Sequence, residues 1–357
     1  MELQQFITNH TDNFIHEFKK KNVYVHKYTE LELVILKLKR NVNYDFQQHP
    51  WLRYCRGAVV HLGTKRLVCV PPLKADREVD IHALDDYPET MVFQPLIDGT
   101  MINMFYHKDK WMISTRSGIG GKNSWDGKIP FLTMFHDVNG DKWYDELDPG
   151  NCYSFVLQHK KNRIVCPVDE NALYLVESYT MGDTIEKVHS LPKISNIQTI
   201  ENISKEELKY YENPDLYFSI KGITCKTDTT RINWINPNYE YVKGLKMNHN
   251  NRFMNYISLK QKDQLSKYLV FFPEDRYEFD SFNEIVMNIK DLTYENYVKI
   301  FIRKGGSLKD IQYSLKPLLH EIHTIYQTDK KKITRERVNQ YIDTIDGRRL
   351  LFIQKYL

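Results

Sequence analysis

Cysteine is scarce in this chain. The 357 residues include five, Cys55, Cys69, Cys152, Cys166 and Cys225. The number is odd, the spacing is wide and no C-x-x-C pair occurs, which argues against a disulfide framework and a thiolate zinc site and points to a reducing compartment. No apolar run approaches the ~20 residues needed to cross a bilayer, and the opening MELQQFITNHTDNF has no signal-peptide core. The expectation is a soluble, non-secreted, cytoplasmic protein with no membrane partner. Charge of one sign is also lacking: 50 Lys and Arg against 46 Asp and Glu leave +4. That excess identifies no nucleic-acid binder by itself, so the argument rests on where the basic residues sit. No H-E-x-x-H, G-x-S-x-G or strand-borne G-x-G-x-x-G occurs, which sets aside a zincin, a serine hydrolase and a Rossmann dehydrogenase. The glycine-rich Ser117–Lys122 lacks P-loop spacing and reads as a loop. His320 and His323 stand at helical spacing with no third ligand nearby in sequence.

What is present is a folded chain's balance, 41% hydrophobic and 27% charged, and its length suggests about two domains at roughly 150 residues each. Residues 1–40 read as helix, with Phe14, Ile15 and Phe18 on one face and a second apolar run at Leu31–Leu38. From about residue 50, short β-branched and aromatic runs alternate with turn residues: Gly57–Leu62, Arg66–Val70, Met91–Phe93, Met101–Tyr106, Trp111–Thr115, Cys152–Leu157, Arg163–Cys166 and Ala172–Glu177. Strands resume near Tyr217–Cys225 and Tyr239–Lys246. Asp98-Gly99 between apolar runs reads as a type I′ hairpin turn as well as a site element. After about residue 255 the period is helical. Phe282, Ile285, Val286 and Ile289 mark one helix, and Leu308 to Ile322 a second, opened by a Ser307–Asp310 capping box. A third runs from near Thr334 to Gly347, and Gly305-Gly306 separates the first two.

Five stretches carry chemistry: Arg53-Tyr54-Cys55-Arg56-Gly57; Pro71-Pro72-Leu73-Lys74; Leu96-Ile97-Asp98-Gly99-Thr100 with Ser114-Thr115-Arg116; Ser154–Gln158 with Asn162-Arg163-Ile164-Val165; and Lys221-Gly222-Ile223-Thr224 with Lys243-Gly244-Leu245-Lys246. In this order they resemble the nucleotidyltransferase core of the ATP-dependent RNA ligases, in particular the type that repairs broken tRNA in T-even phages. The resemblance covers roughly residues 50–250. It implies an α+β fold: a nucleotidyltransferase (ATP-grasp-like ligase) core of antiparallel strands with flanking helices over residues 1–250, then an all-helical C-terminal domain over 251–357. It implies ATP as cofactor, Mg²⁺, and RNA with 5′-phosphate or 3′-hydroxyl ends as partner. In that family the lysine of K-x-D-G attacks the α-phosphate of ATP and carries AMP to the RNA 5′ end.

Carried over by position, Arg56 and Gly57 match the R-G element, Lys74 a basic residue of the following strand, and Asp98 and Gly99 the end of K-x-D-G. Arg116 matches the arginine after the nucleophile strand, and Lys246 a lysine of the last motif. That motif has one residue between two lysines, whereas two lie between Lys243 and Lys246, so either Lys243 or Gly244 takes the first place. The nucleophile position is Leu96, which has no heteroatom to bond phosphorus. With a two-residue gap the glutamate before N-R-I-V falls at Gln158, and that of E-G falls at Lys221. Nucleophile and two metal-ligand positions are replaced together while phosphate-facing cations persist, the pattern of a pseudoenzyme. Asp98 is the one remaining metal-ligand candidate, which leaves Mg²⁺ poorly supported. Lys221 is either a substitute for the metal's charge or a relocated nucleophile. Three functions stay open: a protein that binds nucleotide or RNA ends without adenylating itself, an active ligase with a moved lysine, and an interaction protein that keeps only the fold.

Overall fold

The computed structural model describes residues 1–77, 88–125, 128–140, 142–246, 249 and 251–357. Contacts divide the chain into two compact units, Met1–Tyr241 and Val242–Leu357. The architecture is α+β, with mostly antiparallel sheets in the first unit and helices in the second.

The first unit opens with helices α1 (Glu2–Asn9) and α2 (Phe14–Lys20) and then turns to strands β1 (Val23–Tyr28), β2 (Leu33–Leu38), β3 (Arg56–His61) and β4 (Leu67–Cys69), which form one antiparallel sheet in that order. The run at 31–38, expected to be helical, is therefore a strand for most of its length. Leu33-Val34-Ile35-Leu36 is buried at every position, a demand that a strand covered on both faces meets and a one-faced helix does not. Leu3, Ile7, Phe14 and Phe18 of the two helices pack in the same core as that strand.

The remaining strands are β5 (Asp76–Arg77), β6 (Val92–Pro95), β7 (Thr100–His107), β8 (Lys110–Ser114), β9 (Asn151–Gln158), β10 (Ala172–Met181), β11 (Ile185–Lys187), β12 (Gln198–Thr199), β13 (Gly222–Lys226) and β14 (Arg231–Ile235). A second sheet runs β11-β10-β9-β7-β8, with β12 parallel to β10, and helix α3 (Phe131–Asn139) packs Phe131, Met134 and Phe135 on its core. The third sheet runs β5-β14-β13-β6. The short α4 (Lys205–Leu208), held by a Ser204–Glu207 capping box, contributes Leu208 to the core cluster that holds Phe93 and Ile223.

Two expected strands are absent. Residues 163–166 stay out of any ladder because the backbone N–H groups of Val165 and Cys166 donate to the Asp98 carboxylate instead, at 2.9 and 3.0 Å. Tyr239–Lys246 falls largely in helix α5 (Pro237–Leu245). Buried Asn236 starts that helix: its side-chain oxygen accepts the Asn238 N–H at 2.9 Å and Pro237 follows at the first helical position. Nor is Asp98-Gly99 a type I′ turn, since neither residue has the positive φ that such a turn requires.

The second unit takes in the end of α5 and helices α6 (Arg252–Gln261), α7 (Leu265–Phe271), α8 (Arg276–Tyr297), α9 (Lys316–Asp329), α10 (Arg335–Asp343) and α11 (Gly347–Lys355). Val286 and Ile289 of α8 and Leu318, Leu319 and Ile322 of α9 are buried, as the helical period requires. The Ser307–Asp310 capping box closes only a short 3₁₀ turn, and α9 begins at Lys316 with Pro317 in its first turn. Gly347 opens α11 rather than closing α10, because Asp346 caps it by accepting the Arg348 N–H. Inside this unit the nearly buried Lys290 ammonium pairs with Asp343 at 2.7 Å. No helix among the described residues is long and apolar enough to cross a membrane.

Candidate active site

The three sheets of the first unit enclose a cavity of about 230 Å³. Arg56 enters from β3, Met101 and Val156 from β7 and β9, and Gln94, Thr224, Arg231 and Asn233 from the third sheet. Leu96, Gly99, Arg116 and Lys221 complete the part of the wall that bears on chemistry. Among the described residues of the wall four are cationic, Arg56, Arg116, Lys221 and Arg231, and none is a carboxylate.

Strand alternation explains the third-sheet contribution. Thr224 pairs with Gln94 on one side and Asn233 on the other, so the three side chains form one row on one face. Leu96 donates its N–H to the Gly222 carbonyl at 2.8 Å, which continues that face one row further. Two rows along, Lys226 stands directly opposite Arg231.

Three glycines allow the close approaches. A Cβ on Gly99 would lie 2.5 Å from the Leu157 carbonyl oxygen, and one on Gly222 would lie 2.1 Å from that of Trp234. Gly57 has φ +116°, and a Cβ there would lie 3.2 Å from the Arg116 Cα. Each is a place where only glycine fits without displacing main chain.

Asp98 is 6% exposed and lies behind the cavity. One carboxylate oxygen accepts the Val165 and Cys166 amides; the other accepts the Tyr239 hydroxyl at 2.6 Å and faces the Lys221 ammonium at 3.4 Å. Lys221 also donates to the Ile97 carbonyl at 3.2 Å. Burial works against the charged form of Asp98, but the Lys221 ammonium, then the Tyr239 hydroxyl and the Cys166 and Val165 amides, outweigh it and hold its pKa below the usual value. Both oxygens are thus committed to protein donors, with an ammonium where a metal would approach. No group of three His, Cys, Asp or Glu side chains able to hold a metal occurs among the described residues. The side chains present do not fit Mg²⁺, which takes carboxylate ligands beside the substrate's phosphates.

The arginines differ in their partners. Arg231 pairs with buried Glu177 at 3.2 Å, and Glu177 accepts the Tyr179 hydroxyl at 2.7 Å. Arg56 and Arg116 have neither a hydrogen bond nor a carboxylate partner among the described residues. Burial, then the charges of Arg116 and Arg231, push Arg56 down to about 10. Burial and Arg40 lower Arg116, and burial with Arg116 and Arg40 lowers Lys37. This corner is short of negative charge, and an anion would relieve it.

Of the positions picked from the sequence, the cavity wall brings together Arg56, Leu96, Gly99, Arg116 and Lys221, with Asp98 and Gly57 immediately behind. Lys74 turns its ammonium to the Phe46 ring at 4.6 Å and is not a wall residue. Gln158 donates to the Asp98 backbone carbonyl at 2.8 Å, and the β9 residue in the wall is Val156, at the ungapped spacing from Asn162. Lys243 lies on α5 and Lys246 just after it, both in the second unit, where Lys246 sits over the Phe272 ring at 5.1 Å. Sequence reasoning missed Arg231 and Asn233. They carry the one-residue spacing that the resemblance implies for the last motif, and the alternation of Arg231-Ile232-Asn233 was the available clue.

No family model matches the chain. Among curated proteins it is 25% identical over 277 residues to the "Immediate-early protein ICP-46 homolog" of Invertebrate iridescent virus 3, covering 72% of this chain and 60% of that protein. It is 26% identical over 184 residues to the "Putative bifunctional polynucleotide kinase/RNA ligase" of Autographa californica nuclear polyhedrosis virus, covering 44% of this chain and 25% of that one. The chain therefore spans less than two thirds of each relative's length. Among solved structures, the "Putative ATP-dependent DNA ligase from Aquifex aeolicus" aligns over 88% of this chain and 80% of its own at 13% identity, with a TM-score of 0.43.

Proposed function

We propose that this protein binds the phosphates of ATP or of an RNA 5′ end in the cavity between its three sheets and does not attach AMP to residue 96. The carrying observation is the wall itself: four cations and no carboxylate among its described residues, and Leu96 at the position that the resemblance gives the nucleophile. Arg56 and Arg116, unpartnered among the described residues, supply the positive charge that a polyanion would neutralise, and Lys221, paired with Asp98, adds an ammonium to the same wall. The similarity to a viral kinase/ligase supports a nucleic-acid end as the ligand.

A second reading makes Lys221 the nucleophile, since its side chain lines the same cavity as Leu96. Its Nζ faces Asp98 at 3.4 Å and donates to the Ile97 carbonyl at 3.2 Å, contacts that attack on phosphorus would have to give up. Incubation with α-labelled ATP separates the two: the first reading expects saturable, salt-sensitive binding and no covalent label. A label lost in Lys221→Met would establish the second. No saturable affinity for ATP or 5′-phosphorylated RNA would leave only an interaction protein.

A further inference from the structure

Beside the third sheet lies a second cavity of about 630 Å³, inside the roughly 300–1,000 Å³ range of ordinary ligand sites. Residues of β6, β10, β11 and the turn between β13 and β14 wall it, all within the first unit. Glu177 and Asp228 stand in this wall with Lys187, Lys226 and His189. Both signs of charge are present, so the wall as a whole does not select a polyanion. Thr90, Gln94, Asn202 and Thr229 add neutral polar side chains.

Lys226 differs from the other charged groups of the wall. Lys187 donates to the Thr227 carbonyl at 3.3 Å. Glu177 pairs with Arg231 at 3.2 Å and accepts the Tyr179 hydroxyl at 2.7 Å. Asp228 and His189 face each other at 3.7 Å on the exposed rim. The Lys226 amine has neither a hydrogen bond nor an ion pair among the described residues, although the residue is only 9% exposed. The β13–β14 register sets it directly across from Arg231, and like charges so placed repel.

Burial strips an ammonium of its hydration, and a neighbouring cation raises the cost further, so both favour the neutral amine. Burial, reinforced by Arg231 and Lys187 and only partly offset by Glu177, brings the Lys226 pKa to about 8. A desolvated lysine beside another cation is the arrangement that turns the amine into a nucleophile toward carbonyl carbon.

We infer that Lys226 is a covalent site for an uncharged, hydroxyl-bearing aldehyde, held in this cavity as an imine. The amine lone pair bonds the carbonyl carbon, and the π pair of C=O moves to oxygen. The two amine protons pass to that oxygen, the C–O bond breaks, and water leaves with C=N in place. Nothing is oxidised or reduced. The ligand's hydroxyl groups meet the neutral polar side chains of the wall. The inference goes beyond the phosphate reading of the first cavity and does not rest on it.

The test treats the full chain with limiting 2-hydroxybenzaldehyde, an uncharged aldehyde whose imine is followed by its absorbance. Borohydride then fixes the imine, and peptide mapping by mass spectrometry locates it. Near neutral pH a lysine of pKa about 8 holds on the order of a hundredfold more free amine than an ordinary lysine. Allowing for its weaker basicity, Lys226 should label at least about tenfold faster than the exposed lysines. Lys226→Met and Lys226→Arg lose that fast label with an unchanged circular-dichroism spectrum, and Lys187→Met keeps it. Label spread over the exposed lysines of the wild type overturns the inference, as does a fast label at Lys187 or Lys221. A fast phase that survives in both Lys226 variants overturns it too. The wild-type peptide map decides by itself, whether or not the variants fold.

Discussion

The Lys221 ammonium stands 3.4 Å from an oxygen of Asp98, at a place where the RNA-ligase resemblance implies two acidic residues. The ion pair ties the residue before β13 to the loop before β7.

Asp98→Asn should therefore destabilise the protein. Removing one partner of a buried pair typically costs about 3–5 kcal/mol, and with Lys221 partly solvated the expected loss is about 3 kcal/mol. Urea midpoints of Asp98→Asn, Lys221→Met and the double variant close a cycle with a coupling above about 1 kcal/mol. Additive losses would mean that the two charges are independent. Because the folded pKa of Asp98 is depressed, its contribution is present at neutral pH and fades as pH falls through the folded value.

Arg56→Gln should raise stability without ligand and lower affinity with it. The wild-type guanidinium is buried beside Arg116 and Arg231, with its pKa down to about 10. The neutral amide relieves that repulsion. Thermal melts should show a higher Tm for the ligand-free variant. ATP at a hundredfold excess over Kd should stabilise the wild type by about 2.7 kcal/mol and the variant at the same concentration by much less. A lower Tm for the free variant would contradict the charge argument.

Lys226 gives a pH signature. Burial, partly offset by Glu177 and reinforced by Arg231 and Lys187, brings its pKa from 10.5 to about 8; His189 and Asp228 share the cavity wall. Below about pH 8 both folded and unfolded chains hold the proton. Between about 8 and 10.5 the unfolded chain binds more protons, so this group makes stability rise with pH. Subtracting the Lys226→Met unfolding profile from that of the wild type should isolate the rise. A flat difference would place the ammonium in water.

Gly222→Ala should cost more than about 3 kcal/mol or prevent folding, because the residue combines a φ of +142° with a Cβ position 2.1 Å from the Trp234 oxygen. Gly244→Ala meets nothing within 4 Å and serves as the matched control. Circular-dichroism melts of the two variants make the comparison.

Many of the strands were legible because short β-branched and aromatic runs alternate with turn residues. Leu31–Leu38 misled because an unbroken apolar run fits a buried strand and a helix alike until its partners β1 and β3 are known. Residues 163–166 have strand-like composition, yet their amides are claimed by a side chain 67 residues away from Val165, a relation that local pattern cannot reveal. In the site, Arg56, Leu96, Gly99, Arg116 and Lys221 were picked by the resemblance to the RNA-ligase motifs. Arg231 and Asn233 were passed over because their identities depart from lysine and only the β13–β14 register brings them to the wall. The charge imbalance at Lys226 was invisible for the same reason.

The stretch Leu96-Ile97-Asp98-Gly99 separates two kinds of constraint within four residues. Asp98 anchors two amides, a phenol and an ammonium, and Gly99 gives way to the neighbouring strand, so neither can change without cost to folding. Leu96 gives the sheet its main chain through the bond to Gly222, and its half-buried side chain lines the cavity. Constraint of that kind holds the aspartate and the glycine whatever side chain stands at residue 96. The persistence of such a signature is thus a record of architecture, and its survival says nothing about turnover.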